Sequence, residues 1–120
     1  MKKFPKLLTC AAALLLSFQA NAWTNKPVKM LVPAPAGGTM DIVARILADK
    51  LKDELGTAVV VENKPGAGAL LGASAVARAA ADGYTLLMSS GGMVSVNPHL
   101  YARMSFDPAK DLVPVAAAAR

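Results

Sequence analysis

Three glycine- and serine-rich segments carry the residue types best suited to binding chemistry in this sequence. The first is Ala36-Gly37-Gly38-Thr39, which comes immediately before a segment with helical periodicity. Glycines there let a ligand approach the backbone closely, and the N–H groups of a helix's first turn favour an anion such as a carboxylate. The Thr39 hydroxyl adds a donor. The alternative is that Gly37 and Gly38 only form a turn and Thr39 only caps the helix.

The segment Ser89-Ser90-Gly91 follows a predicted strand and offers two hydroxyl donors to an anion. A nucleophilic serine would need the G-x-S-x-G pattern, but the residue two before Ser90 is Met88. We interpret His99, the only histidine, as a helix-surface or packing residue. We therefore predict no catalytic residues, no metal site and no cofactor.

Gly66 and Gly68 lie in the third glycine-rich segment. With Gly72 they form G-x-G-x-x-x-G, which has one residue too many for the dinucleotide fingerprint and follows the second predicted strand instead of the first. We predict instead that Gly66 and Gly68 form a second wall of backbone N–H groups around the same ligand.

Asp41 lies beside the first segment, where an ionised carboxylate would repel an anionic ligand. In the first helical turn it can instead stabilise the helix dipole or accept a hydrogen bond from the cap N–H. We favour this structural role.

The order of the predicted elements indicates an α/β fold. Strand, glycine-rich loop and helix follow one another three times, as in a parallel sheet with crossover helices. Ligands of such sheets bind beyond the carboxyl ends of the strands, where all three segments lie. The predicted strands are 28–32, 58–62, 84–88 and the beginning of a fourth at 113–119. Three helices are predicted. The first ends at Leu55, directly before Gly56, and the other two span about 69–80 and about 94–101. The first helix is expected to bury an apolar face formed by Ile42, Val43, Ile46, Leu47, Leu51 and Leu55.

The first 22 residues have the features of a secretory signal peptide. Lys2, Lys3 and Lys6 precede an apolar run from Leu7 to Phe18, and Ala20-Asn21-Ala22 fits a cleavage site. We predict cleavage after Ala22 and a mature protein that is periplasmic and not embedded in the membrane.

Composition and charge further narrow the classes of protein to which the chain can belong. The only cysteine, Cys10, is removed with the predicted signal peptide. Thr9 stands directly before it, where a lipidated cysteine would be preceded by a small residue, and this argues against lipidation. The remaining chain carries 10 basic and 8 acidic residues, so the overall charge of +5 comes mostly from the leader. With one Trp, two Tyr and three Phe in 120 residues, base stacking is disfavoured and no nucleic-acid partner is predicted.

Five motifs in order resemble the Bug-type receptors, the TctC-like periplasmic substrate-binding proteins of tripartite tricarboxylate transporters. They are LVP at 31–33 with AGGTMD at 36–41, VVVENKPGAG at 59–68 with Gly72, DGYTLL at 82–87, NPxLY at 97–101 and DPxKDL at 107–112. Ala34 departs from the family pattern, which often has an aromatic residue after the first-loop proline.

The resemblance implies a type II-like periplasmic binding protein with two α/β lobes that close on a small carboxylate or dicarboxylate. The ligand is held by loops, partly through ordered waters, and passed to the membrane permease of the transporter. Ala36, Gly37, Gly38 and Thr39, and Ser89, Ser90 and Gly91, match binding segments. Residues 23–120 are then expected to form part of the first lobe, with the chain truncated before the second.

Two other functions remain open on sequence alone. One is an exported serine hydrolase fragment that uses Ser90, which a fluorophosphonate label on Ser90 would reveal. The other is an exported interaction module without a ligand, in which every glycine is structural. A ligand that raises the melting temperature would distinguish a receptor from such a module.

The predicted signal peptide leads to the first testable prediction. Expressed in a two-membrane bacterium, the protein should be recovered from the periplasm with Trp23 as its first residue. Intact-mass measurement checks this. A product that retains Lys2, or that carries lipid on Cys10, would contradict the prediction.

Overall fold

The computed structural model of the protein describes residues 26–118. The predicted signal peptide at 1–22, its cleavage after Ala22 and Cys10 lie outside the described residues. Within residues 26–118 no helix combines the length and the apolar character needed to cross a membrane.

A parallel three-stranded sheet forms the centre of the fold. The strands are β1 (Val28–Val32), β2 (Val59–Asn63) and β3 (Thr85–Leu87), arranged in the order β2-β1-β3. Val28 pairs with Val59 and Lys29 with Thr85, both in parallel register. The central strand is the most buried, with Val28 and Val32 fully inaccessible. The predicted α/β class with a parallel sheet is confirmed, and each strand lies within one residue of its predicted position.

The first crossover is α1 (Thr39–Leu55), which ends where the sequence predicts. Gly56 follows it with a φ of 65°, and its N–H donates to the Lys52 carbonyl at 3.0 Å, the arrangement that favours glycine after a helix. The predicted buried face is partly wrong, because Ile42 and Ile46 are 52% and 62% exposed. Small side chains face the sheet instead and let the helix lie close to it, namely Ala44 and Ala48 beside Asp41.

The second crossover begins with one turn of 3₁₀ helix (Ala67–Ala69) and continues as α2 (Leu70–Ala77). The helix is shorter than the predicted range of 69–80. Gly72 sets how closely α2 approaches the loop after β1. A Cβ at this position would lie 2.9 Å from Pro33 Cβ and 3.0 Å from the Lys64 carbonyl oxygen, so only glycine fits without displacement.

After β3 the chain forms a π-helix (Gly92–Val96), which passes directly into α3 (Asn97–Leu100). The sequence predicted one helix over 94–101. A final short helix, α4 (Pro108–Asp111), was not predicted; the Asp107 carboxylate caps it by accepting a hydrogen bond from the Ala109 N–H at 3.0 Å.

The predicted fourth strand does not form over residues 113–118, and Ala119 lies outside the described residues. Val113 and Val115 are 85% and 82% exposed. Alternating β-branched side chains favour a strand only beside a partner strand. None of the three strands described pairs with this segment, which is the physical reason for the difference.

Two apolar clusters hold the layers together. One joins the sheet to α1 through Met30, Val32 and Ala44. The other joins α2 to the π-helix and the following segment through Ala73, Met93 and Phe106. The second cluster thereby positions the chain that follows β3.

The contact at Gly72 generates the second prediction. Gly72→Ala should lower the free energy of unfolding by about 1–2 kcal/mol, because overpacking against Pro33 and the Lys64 carbonyl costs more than the roughly 1 kcal/mol that alanine contributes within a helix. Urea denaturation measures the change. Gly92→Ala is the matched control, since a Cβ there meets nothing within 4 Å. Equal stability of the two variants would contradict the prediction.

Candidate functional site

The three glycine- and serine-rich segments lie at one edge of the sheet. We call them loop 1 (residues 33–38), loop 2 (residues 64–69) and loop 3 (residues 88–91), after β1, β2 and β3 in turn. Because the strands are parallel, all three loops leave from the carboxyl ends, the side where α/β sheets bind ligands. Every predicted site residue lies in these loops or directly after one. All are exposed except Gly38, which is half-buried: Ala36, Gly37, Gly38, Thr39, Gly66, Gly68, Ser89, Ser90 and Gly91.

Loop 1 uses two of its predicted donors internally. The Gly37 N–H donates to Asp41 Oδ2 at 2.8 Å, and the Gly38 N–H donates to the Pro35 carbonyl at 3.3 Å. Gly37 has a φ of 82°, a backbone conformation that favours glycine. The expectation that these two N–H groups point at a ligand is therefore not met. The glycines shape the turn, and the donors left for an anion are those of the first turn of α1, at Thr39 and Met40.

Thr39 is the first helical residue, and the cap position is held by Gly38, whose φ of −76° and ψ of 165° are extended. The alternative in which Thr39 caps the helix is therefore wrong. Thr39 is exposed, at the edge of the sheet where the strands have their carboxyl ends.

The Asp41 carboxylate is the anchor of loop 1. It is 2% exposed and accepts three hydrogen bonds. Oδ2 accepts from the Gly37 N–H at 2.8 Å and from Arg45 Nε at 3.0 Å, and Oδ1 accepts from Asn63 Nδ2 at 2.9 Å. The predicted structural role is confirmed, although the carboxylate reaches one residue further back than the Gly38 cap.

Asn63 and Arg45, which sequence reasoning did not single out, complete this anchor. Asn63 Nδ2 also donates to the Ala34 carbonyl at 3.1 Å, and Arg45 Nη2 donates to Asn63 Oδ1 at 3.1 Å. The last residue of β2 is thereby tied to loop 1 and to α1. The four-residue spacing of Asp41 and Arg45 on a predicted helix was the one signal in the sequence for part of this network.

The anchor also decides the charge at the site. Arg45 most of all, with the Gly37 N–H and Asn63, lowers the pKa of Asp41 from 3.8 to about 2. The carboxylate is ionised at neutral pH, and the adjacent guanidinium balances its charge. The Asp41–Arg45 pair therefore carries no net charge beside the first turn of α1.

Loop 2 has an unusual backbone. The φ angles from Gly66 to Ala69 are all positive, at 128°, 50°, 62° and 74°. The Leu71 N–H donates to the Gly66 carbonyl at 3.4 Å and closes the turn. A left-handed turn separates β2 from α2, so loop 2 does not lead straight into a helix N-terminus as a dinucleotide-binding loop does.

Loop 3 carries the two serines without a catalytic partner. Ser89 Oγ donates to the Ser90 carbonyl at 3.2 Å, and none of the hydrogen bonds in the described part of the chain joins Ser90 to His99. Residues 26–118 contain no group of three or more acidic, histidine or cysteine side chains arranged to hold a metal ion. Both serines are exposed, but the Ser89 hydroxyl uses its hydrogen within the loop, which leaves the Ser90 hydroxyl as the donor of loop 3.

A separate open cleft of about 250 Å³ lies beside α3. None of the predicted site residues borders it. Its lining residues are Pro98, Tyr101, Met104, Phe106, Asp107 and Pro108. The candidate site at the loop edge of the sheet is thus distinct from this cleft.

The low pKa of Asp41 generates the third prediction. A folded pKa of about 2 against 3.8 makes its contribution to stability complete above pH 5, and the contribution is lost as the pH falls from about 4 to 2. Asp41→Asn should lower the free energy of unfolding at pH 7. It should also flatten the acid limb, meaning the fall of the unfolding free energy with decreasing pH. The variant takes up fewer protons on unfolding than the unsubstituted protein, by at most about 0.8 proton. Urea denaturation at several pH values measures both effects.

Asp49→Asn is the matched control for this experiment. Asp49 lies on the same helix with a side chain 67% exposed and paired only with Lys52. Its replacement should change stability at pH 7 little, because exposed ion pairs contribute little. An acid limb in Asp41→Asn as steep as that of the unsubstituted protein would contradict the assignment.

Comparison with known proteins confirms the resemblance seen in the sequence. Residues 43–120 match the family described as tripartite tricarboxylate transporter family receptor, TctC. The chain is 41% identical over 110 residues to protein BugT of Bordetella pertussis, an alignment that covers 91% of this chain and 34% of BugT.

Two solved structures with bound ligands share the fold. One is R. palustris Rpa4515 with adipate, which is 37% identical with a TM-score of 0.69 over 72% of this chain and 29% of that one. The other is MatC (Rpa3494) from Rhodopseudomonas palustris with bound malate, which is 33% identical with a TM-score of 0.61 over 72% of this chain and 30% of that one.

The chain spans about a third of the length of the curated relatives it matches, 34% of BugT and 29% of a second Bordetella protein. Both the family match and the identity to BugT extend over most of this chain. The chain belongs to the TctC family, the receptors of tripartite tricarboxylate transporters.

Proposed function

We propose that the protein is a periplasmic solute receptor that binds a small dicarboxylate at the loop edge of its sheet and delivers it to the membrane permease of a tripartite transporter. The observation that carries this proposal is the pairing of Asp41 with Arg45 behind loop 1. This pairing leaves the first-turn donors of α1 next to a carboxylate whose charge is already balanced. An anion is then the ligand favoured by the remaining donors.

The ligands named for two structural relatives support a dicarboxylate. Rpa4515 is described with adipate and MatC with malate. Both molecules have two carboxylates joined by a short carbon chain. We infer the same chemical class for this protein, and the departure at Ala34 is expected to affect which member of the class fits.

In the proposed complex, one ligand carboxylate accepts hydrogen bonds from the Thr39 and Met40 N–H groups at the start of α1. The dipole of this 17-residue helix adds a favourable partial positive charge. Gly37 and Gly38 keep loop 1 free of side chains at this point, so the ligand can reach the backbone. The Ser90 hydroxyl donates from loop 3 with Ser89 beside it, and Gly66, Gly68 and Gly91 line the remaining wall.

The proposal extends to parts of the receptor beyond the described residues. Residues 23–120 form part of a first lobe, and a second lobe closes over the second carboxylate of the ligand. Cleavage after Ala22 releases the receptor into the periplasm. The roles of all the proposed ligand-binding groups are to bind and orient the ligand, and none is catalytic.

The proposed site generates the fourth prediction. Ser90→Ala should weaken binding by about 1–3 kcal/mol, the range for losing a hydrogen bond to a charged group. Isothermal titration calorimetry with adipate and with malate measures it. Ser95→Ala is the matched control, an exposed serine five residues further along in the π-helix. Equal affinities of the two variants for a bound dicarboxylate would remove loop 3 from the site.

A further inference from the structure

The left-handed turn of loop 2 is a conformation that its own residues disfavour. Its four positive φ angles include those of two alanines, 50° at Ala67 and 74° at Ala69. A Cβ crowds the neighbouring carbonyl in this region of the backbone, which is why glycine is usual there. Such a turn persists when surrounding contacts hold it, and strained backbone of this kind clusters at functional sites.

Two side chains from the helical segment after β3 contact the centre of this turn. Asn97 Nδ2 donates a hydrogen bond to the Gly68 carbonyl at 3.1 Å. The Tyr101 hydroxyl lies against the same residue, because a Cβ built on Gly68 would be 2.5 Å from that oxygen. The Tyr101 N–H donates to the Asn97 carbonyl at 3.1 Å, which fixes the two contacting residues relative to each other.

The other end of this helical segment is bonded to loop 3. The N–H groups of Met93 and Val94 donate to the Ser90 carbonyl at 3.1 and 3.4 Å. The π-helix and α3 then run without a break from Gly92 to Leu100. Because a helix is stiff along its axis, this segment sets the spacing between Ser90 and the turn at Gly68.

We propose that Asn97 and Tyr101 are positioning residues for the ligand site: they hold the turn Gly66–Ala69 of loop 2 at a fixed distance from Ser90 of loop 3. This inference rests on the proposed function, in which both loops line the dicarboxylate site. Asn97 and Tyr101 act through Gly68. Their loss releases the strained turn and separates two walls of the site that must face one ligand together.

Asn97→Ala tests the hydrogen bond. It should weaken binding of adipate or malate about tenfold, comparable to losing one hydrogen bond to the charged ligand. In the ligand-free protein it should also speed amide hydrogen exchange at residues 66–69. His99→Ala is the matched control, since His99 is exposed on the same helix. It should change neither quantity.

A pair of substitutions tests the packing of Tyr101 on Gly68. Gly68→Ala alone should weaken binding, because the new methyl group meets the Tyr101 hydroxyl oxygen. Combined with Tyr101→Phe, which removes that oxygen and leaves the nearest ring carbon 3.5 Å away, Gly68→Ala should regain part of the lost affinity, because the φ of 62° at this position still disfavours alanine. A merely destabilising effect of the methyl group at Gly68 would not be reversed in this way.

The outcomes separate this inference from the proposed function. If the unsubstituted protein binds adipate or malate and Asn97→Ala binds equally well, the positioning role is overturned while the receptor function stands. Failure of Tyr101→Phe to improve the binding of Gly68→Ala likewise overturns the role of Tyr101. If the unsubstituted protein binds no dicarboxylate, the proposed function fails, and the inference fails with it.

Discussion

The rest of the site depends on one buried carboxylate. Asp41 has two oxygens, and together they hold loop 1, the first turns of α1 and the end of β2 in a single arrangement. A charged group at 2% exposure is tolerated only because each oxygen has a donor and because Arg45 balances the charge. Asp41, to which the sequence analysis gave a structural role because its charge would repel an anion, is the residue that fixes the backbone of loop 1.

This arrangement divides the backbone donors of loop 1 between structure and binding. The Gly37 and Gly38 N–H groups close the loop, and the Thr39 and Met40 N–H groups are left at the helix terminus. The hydrogen bonds of the Gly37 and Gly38 N–H groups within loop 1 fix the backbone, and this fixes the positions of the Thr39 and Met40 N–H groups that follow. The proposed site is therefore largely formed without a ligand, an arrangement that reduces the ordering cost of binding.

Sequence patterns identified the elements whose causes are local. β2 and the end of α1 at Gly56 follow from a β-branched run and from a glycine with a positive φ, and both were predicted to within one residue. The inner face of α1 was not, because periodicity favours the large Ile42 and Ile46 while the distance to the sheet selects Ala44 and Ala48. The contact of Asp41 with Asn63 joins residues 22 positions apart and depends on how β2 lies beside β1. The left-handed alanines of loop 2 have no signature in residue type, and Asn97, which contacts Gly68 between them, lies 29 positions further along the chain.

The strand order has a consequence for the sequence of events in folding. The central strand β1 comes first in the chain, and its partners begin later: Val28 pairs with Val59, and Lys29 pairs with Thr85. A chain that emerges amino end first therefore presents its most buried strand well before either neighbour is available. Non-local parallel pairing is slow, and an unpaired apolar strand invites association with other chains. β1 thus lacks any partner until residues 59–63 have emerged and lacks its second partner until residue 87 has emerged. The length of this interval is set by chain topology and not by the strength of any contact in the finished sheet.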